Sequence, residues 1–343
     1  MSEFFFLWGL FAVKLVTVVV LLLVGVMAVA GVVMGLKQEK RKDGKLVVRD
    51  YNSRYQHFFD TVHASGESEK AFKARIKKRN QQEKREAKKG DARSRLYVID
   101  FDGDIKASAT ASLAHCVSAV VHTAEENDAV LLRLESGGGL VHAYGLAAAQ
   151  LERLREAGVH LTVSVDKVAA SGGYMMATMA DRIIAAPFAV IGSVGVVAQL
   201  PNVHKLLKKN DIDIEYHTAG KYKRTLTVIG ENTKEGRQKF VEDLDHVHQL
   251  FKAHIARFRS AVDVDSIATG EVWYGSDALE KGLVDALTTS DAFLLDQLEG
   301  KRVLHLSYET RPSLGERLGV NAVGSFLAAQ LGSWTSPLLN RRF

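Results

Sequence analysis

The sequence predicts a layered α/β domain with parallel strands, carried behind one N-terminal transmembrane helix. Three observations predict it. Strand-like and helix-like stretches alternate from residue 95 onward, the pattern of parallel strands joined by helical crossovers. Two glycine-rich turns, SGGG at 136–139 and SGG at 171–173, follow strand-like runs and lead into helices, where ligands gather in such sheets. Residues 15–36, LVTVVVLLLVGVMAVAGVVMGL, hold 22 residues without a charge. That is enough for a helix to cross a hydrocarbon layer about 30 Å thick.

The expected anchor occupies residues 1–36. Trp8 and Lys14 stand where an interfacial ring and a snorkelling amine belong. A cleaved signal peptide would have a shorter apolar core and a small-residue cleavage site, and none stands out before KQEKRKDGK. Residues 37–95 read as a basic, partly helical linker with 19 Lys/Arg against 9 Asp/Glu. The rest of the chain is therefore net acidic, although the whole carries +5. The tract FKARIKKRNQQEKREAKKG lacks the aromatic interleaving and the fold of a nucleic-acid binder, so no nucleic acid is expected. Beside a membrane helix, a solvated helix or contact with anionic headgroups of the lipid bilayer fits better. Basic residues just after the anchor, against Glu3 before it, favour a cytoplasmic C-terminal side.

The globular domain is expected over 96–300. RLYVIDFDGDI, AVLLRLES, LTVSVDKV and ADRIIAA read as strands; SLAHCVSAVVHTAEEN and GLAAAQLERLREAG read as helices. The apolar stretch VAASGGYMMATMADRIIAAPFAVIGSVGVVAQL resembles a second span. Asp181, Arg182, Pro187 and its four glycines argue instead for buried core and site loops. Residues 240–260 form an amphipathic helix with Val241, Leu244, Val247, Phe251 and Ile255 on one stripe, suited to core or subunit contact. Residues 301–343 read as a C-terminal extension and candidate subunit contact. Cys116 is the only cysteine, which excludes an internal disulfide. Its neighbour His115 would not share its helical face, so Cys116 reads as a packed thiol.

Chemistry concentrates around Ser171. A serine before two glycines suits a helix N-cap. It equally suits a nucleophile, because the Gly172 N–H beside it can donate to a developing oxyanion. LESGGGL offers a second set of unobstructed N–H donors; without GxxxxGK[ST] it is a weak phosphate or CoA loop. The base is the harder question. Histidines 115, 122, 142, 160 and 217 stand in no recognisable triad context, His142 being the best placed. HTAGKYKRT offers Lys221 and Lys223. An ordinary lysine, with a pKa near 10.4, is neutral in only about 1 molecule in 2,500 at pH 7, and burial is what removes that handicap.

The run VAASGGYMMATMADRIIAAPFAVIGSVGV resembles the core of the signal peptide peptidase A family of membrane serine proteases. GKYK at 220–223 is similar to that family's lysine motif, and GEVWYGSDALEKGLVDAL at 270–287 to its C-terminal signature. The resemblance implies a crotonase/ClpP-like superhelix of ββα units. It implies Ser171 as nucleophile, Lys223 rather than Lys221 as general base, and Ser193 as the residue orienting that lysine. Gly138, Gly139 and Gly172 fall in the oxyanion-hole turns; Asp181 and Tyr174 also match, with structural roles expected. The family commonly has Ser-Pro-Gly-Gly where this chain has Ser136-Gly137-Gly138-Gly139, a change that loosens the turn while keeping its N–H donors. The implied activity is peptide hydrolysis through an acyl-enzyme, without cofactor or metal, on signal-peptide remnants or misfolded membrane-associated polypeptides. The implied assembly is a ring-like homo-oligomer, such as an octamer, with sites completed across protomers. The implied location is the bacterial inner membrane with the catalytic domain outside, in the periplasm, against the charge bias. Two other readings compete: a crotonase-type acyl-CoA enzyme, and a non-catalytic membrane scaffold.

Overall fold

A computed structural model describes residues 44–88 and 93–310, with residues 8, 11 and 14–19 near the N-terminus. Most of the apolar stretch 15–36, and residues 311–343, lie outside the described residues. Among the described residues no helix is long and apolar enough to cross a membrane.

The fold is mixed α/β around one ten-stranded sheet. Its elements run β1 (Gly44–Asp50), α1 (Tyr51–Gly66), α2 (Glu69–Lys88), β2 (Arg95–Gly103), α3 (Thr110–Thr123), β3 (Ala129–Ser136), α4 (Val141–Glu156), β4 (His160–Val165) and β5 (Val168–Ala170). They continue α5 (Gly172–Ala177), β6 (Arg182–Ala185), β7 (Val190–Gly192), α6 (His204–Lys209), α7 (Lys234–Phe258), α8 (Val264–Ile267), β8 (Val272–Tyr274), α9 (Gly275–Glu280), β9 (Ala286–Leu287), α10 (Ser290–Leu298) and β10 (Arg302–Thr310). Strand order is β1-β10-β2-β3-β4-β6-β9, with β5, β7 and β8 branching from β3. The pairs β10–β2, β2–β3, β3–β4, β4–β6 and β6–β9 are parallel, as are β3–β5 and β5–β7; β7–β8 is antiparallel.

Period-two alternation decides which face each side chain meets. Tyr97, Ile99 and Phe101 of β2 and Val130, Leu132 and Leu134 of β3 face the main core, against α3, α4 and α5. Leu96, Val98, Ala129 and Leu131 face a smaller cluster with Tyr51, Leu294 and Val303. Both faces of the central strands are covered, which explains why they read as near-continuous apolar runs. Each such buried Leu, Val or Ile adds about 1.5–3 kcal/mol of transfer free energy. The second apolar stretch, 168–200, is core and turns: Ala169, Tyr174, Met176, Ile183, Ile184 and Ile191 are fully buried.

The run LTVSVDKV is two strands. It breaks at Asp166, which accepts hydrogen bonds from the Ser290 N–H (2.8 Å) and hydroxyl (2.5 Å) at the start of α10. That break lets the sheet divide. The body of β3 pairs with β4, while its last residue pairs with β5, Ser136 opposite Ala169. Strands β1 and β10, one in the expected linker and one beyond residue 300, join the same sheet, β10 beside β2 and β1 beyond it. Cys116 is buried, and burial pushes its thiol up to about 11; His115 stacks on Tyr308. On α7 the apolar stripe is buried at Phe251 and Ile255 but exposed at Val241.

Candidate active site

The division of the sheet brings three strand ends together. Ser136 ends β3, Ser171 follows β5 and Ser193 follows β7. The register Ala170↔Gly192 sets Ser171 beside Ser193, and the Ser171 N–H donates to the Gly192 carbonyl at 2.7 Å. The Ser193 N–H in turn donates to Glu271 on the approach to β8 (2.6 Å).

Ser171 has φ 51° and ψ −119°, a backbone conformation that a residue with a side chain rarely adopts. Such strain costs about 1–3 kcal/mol and persists only where the surroundings enforce it. Here they do: the strand bond to Gly192 holds one side, and the Ser171 carbonyl accepts from Met175 at 2.9 Å on the other. The result is a strand-to-helix elbow with Ser171 at its apex, half-buried. Ser193 shares φ 51°. The small neighbours are sterically required. A Cβ on Gly172 would run into the Tyr144 ring, and one on Gly138 would lie 2.7 Å from the Ser171 Cβ.

Gly138 has φ +87°, and its N–H donates to the Ser136 hydroxyl at 3.1 Å. The N–H groups of Gly139 and Gly172 have no acceptor among the described residues. Gly138, Gly172, Ser171 and Ser193 thus gather at one end of the sheet, and Gly139 adjoins them in the same turn.

Lys223 stands apart. It lies in an exposed turn, its N–H bonded to the Gly220 carbonyl at 3.1 Å. Among the described residues its amine has no hydrogen-bond or ion-pair partner, Ser171 and Ser193 included. Lys221 is committed elsewhere: its amine pairs with Glu235 at 2.8 Å and lies over the Tyr222 ring. The hydrogen bond to Glu235 holds the Lys221 ammonium well above the usual lysine range.

Asp181 and Tyr174 have structural partners. The Asp181 carboxylate accepts the Leu161 N–H (2.8 Å) and ties β6 to β4; the buried Tyr174 hydroxyl donates to the Leu283 carbonyl (3.1 Å). His142 is exposed at the start of α4. Sequence reasoning missed Ser136 and Tyr144 as site neighbours, although the S of SGGG stands at the head of the quoted motif. Tyr144 carries no signal, since only the tertiary fold brings it under both turns.

Family models match nearly the whole chain. The one described as Peptidase family S49 N-terminal matches residues 3–151, and the one described as Peptidase family S49 matches 153–303. The chain is a protease. It belongs to peptidase family S49. The Probable protease SohB of Haemophilus influenzae is 45% identical over 328 residues, covering 92% of each chain. That of Buchnera aphidicola is 47% identical over 307 residues, covering 86% of this chain and 100% of the relative. A solved structure of a membrane-bound stomatin-specific protease is a more distant likeness, 14% identical with a TM-score of 0.40, covering 66% of this chain and 96% of that one.

Proposed function

We propose that this chain is a membrane-anchored serine endopeptidase with a Ser171–Lys223 dyad, built as a crotonase/ClpP-like superhelix of ββα units. The observation that carries the reading is the strained Ser171 elbow, followed by Gly172 and packed against Gly138 of the turn that carries Gly139, the N–H groups of Gly172 and Gly139 having no acceptor among the described residues. Neutral Lys223 takes the Ser171 proton as Oγ attacks the scissile carbonyl. The oxyanion receives the N–H donors, the C–N bond breaks, and the lysine ammonium protonates the leaving amine. Water then attacks the ester, giving one proton to Lys223; the acid leaves and Ser171 regains its proton. Ser193, beside Ser171 in the register, orients the lysine.

Lys223 rather than Lys221 is taken as the base, as the lysine motif implies, while the Lys221 amine is engaged in a surface ion pair with Glu235 at 2.8 Å. A lysine base must be neutral, and burial is what makes it so. Lys223 is exposed in a single chain, so a neighbouring copy must cover it. The irregular segment around it is suited to that. Val197 is 92% exposed, and Leu206, Ile212, Tyr222 and Val228 are exposed along the same stretch of chain, apolar side chains that a subunit contact would cover. The assembly is a ring-like homo-oligomer whose sites combine Ser171 and Lys223 of neighbouring protomers. The substrates are apolar peptides, signal-peptide remnants or misfolded membrane-associated chains. The apolar residues 15–36 anchor the protein in the bacterial inner membrane, with the catalytic domain on the periplasmic side.

Subunit mixing tests this. Ser171→Ala and Lys223→Ala chains are each expected to be inactive on an apolar peptide. Reassembled together from detergent, they should regain about a quarter of wild-type activity, the share of heterologous contacts that join an intact serine to an intact lysine. No recovery on mixing would exclude shared sites, and full activity of either variant alone would exclude the dyad.

A further inference from the structure

We infer that Ser136 and Tyr144 are positioning residues that hold the glycine turn 137–139 in its donor geometry through a buried, directionally fixed relay. The inference rests on the Ser171 reading for its catalytic consequence, though not for its geometry. Ser136 is 2% exposed and Tyr144 is fully buried. Tyr144 lies in the first turn of α4, its N–H bonded to the Leu140 carbonyl that closes the glycine turn (3.0 Å).

Three contacts make the relay. The Tyr144 hydroxyl lies 2.8 Å from the Asp104 carbonyl, the Ser136 hydroxyl lies 2.6 Å from the Tyr144 oxygen, and the Gly138 N–H points at the Ser136 oxygen. A carbonyl only accepts, so the phenol proton goes to Asp104. The Ser136 proton then goes to the Tyr144 oxygen, which leaves a Ser136 lone pair for the Gly138 N–H. Every proton has one place. Burial also pushes the Tyr144 phenol up, so it remains a donor through the neutral range.

The relay has no slack. A Cβ at Gly103 would lie 2.5 Å from the Ser136 oxygen and 2.6 Å from the Tyr144 oxygen, so that glycine roofs both hydroxyls. The same Tyr144 ring packs under Gly172. One side chain therefore touches both donor-bearing turns, Gly172 by its ring and Gly138 through Ser136. The Asp104 end is fixed as well: its carbonyl also accepts from Ala107 (2.9 Å), and the next carbonyl, Ile105, accepts from Leu140 (2.8 Å). With its N–H taken, Gly138 is no oxyanion donor in this state. It is the left-handed link that aims Gly139. A turn of three glycines has much freedom to lose, and the relay removes it before substrate arrives.

The test uses the full-length protein in detergent, with Ser136→Ala and the near-isosteric Tyr144→Phe, which keeps the ring under Gly172. Kinetics on a nitrophenyl ester of an apolar peptide should show kcat falling on the order of 10- to 100-fold in both, with KM within about twofold, because donor alignment matters most in the transition state. Hydrogen exchange should show the Gly138 amide exchanging about fivefold faster or more in both, the expected effect of releasing one buried hydrogen bond. Unchanged kcat in both variants, a loss confined to KM, or unchanged Gly138 exchange in Ser136→Ala would each overturn the inference. If wild type leaves the ester uncleaved, the serine-protease reading fails by itself. The exchange arm then decides the relay alone, faster exchange supporting it and unchanged exchange overturning it.

Discussion

Replacing Gly138 by alanine is the sharpest perturbation of the site, because two costs are imposed at one atom. The residue has φ +87°, where a side chain costs about 1–2 kcal/mol. The new Cβ would lie 2.7 Å from the Ser171 Cβ and 2.8 Å from both the Ala170 carbonyl oxygen and the Gly172 nitrogen. Two of those three atoms are backbone, and the third belongs to the strained serine, so none can swing away. Overpacking of this kind costs about 1–3 kcal/mol. Together the loss is about 2–5 kcal/mol, a large part of the roughly 5–15 kcal/mol that holds a domain folded. Gly145→Ala is the internal control. It makes the same chemical change inside α4, where a Cβ meets nothing within 4 Å, and should stabilise by about 0.5–1 kcal/mol. Urea unfolding followed by far-ultraviolet circular dichroism, with fluorophosphonate labelling of the folded protein, measures both. Gly138→Ala should unfold earlier and label poorly, while Gly145→Ala should unfold later and label normally. If Gly138→Ala matched wild type in midpoint and labelling, the close contact between the glycine turn and the serine elbow would be refuted.

Three further outcomes follow from other parts of the molecule. Burial of Asp100 opposes its ionisation, but hydrogen bonds from His305 and Arg133 outweigh it and hold the carboxyl at about 2, below the ordinary 3.8. Its stabilisation is therefore complete above 3.8 and lost as pH falls through about 2; Asp100→Asn should flatten the acid limb of a stability-against-pH curve in that window. Burial lowers His254, whose ring nitrogen meets the Thr178 hydroxyl (3.0 Å) and the Met175 carbonyl (3.1 Å) behind α5. Neutral in the folded state, it should lose stability as pH drops below its ordinary 6.5, a slope that His254→Gln removes in thermal melts. Arg259 grips Asp285 with two bonds, of 2.9 and 2.8 Å, and donates to the Gly282 carbonyl at 2.7 Å. Arg259→Met should cost on the order of 2–3 kcal/mol in urea unfolding by stranding a half-buried carboxylate.

How much of this was legible in the sequence depends on the range of the interaction concerned. β2, β3, α3 and α4 follow from local periodicity and apolar runs, and the sequence places them within a few residues. The break in LTVSVDKV was not legible, because it is imposed by Ser290, 124 residues from Asp166. β1 was hidden inside a charged tract, and β10 lies past the last recognisable motif; pairing with β2 and its neighbours, not composition, makes them strands. At the site, ASGGY and SGGG were readable as clearance around a hydroxyl and its donors. The positive φ of Ser171 and the Ser136–Tyr144–Asp104 relay were not, since both arise from contacts between separate strands. GKYK was readable as a lysine motif, and the distinction between its lysines gained physical content only from the Lys221–Glu235 pair.

The central claim is an activated Ser171 served by Lys223, and labelling with a fluorophosphonate probe tests it most directly. The panel is detergent-purified wild type, Ser171→Ala, Lys223→Ala and Lys221→Ala, each checked for fold and assembly. Labelling should be lost in Ser171→Ala and Lys223→Ala and kept in Lys221→Ala. Folded, assembled wild type that stays unlabelled, or Lys223→Ala that labels as fast as wild type, would contradict the account.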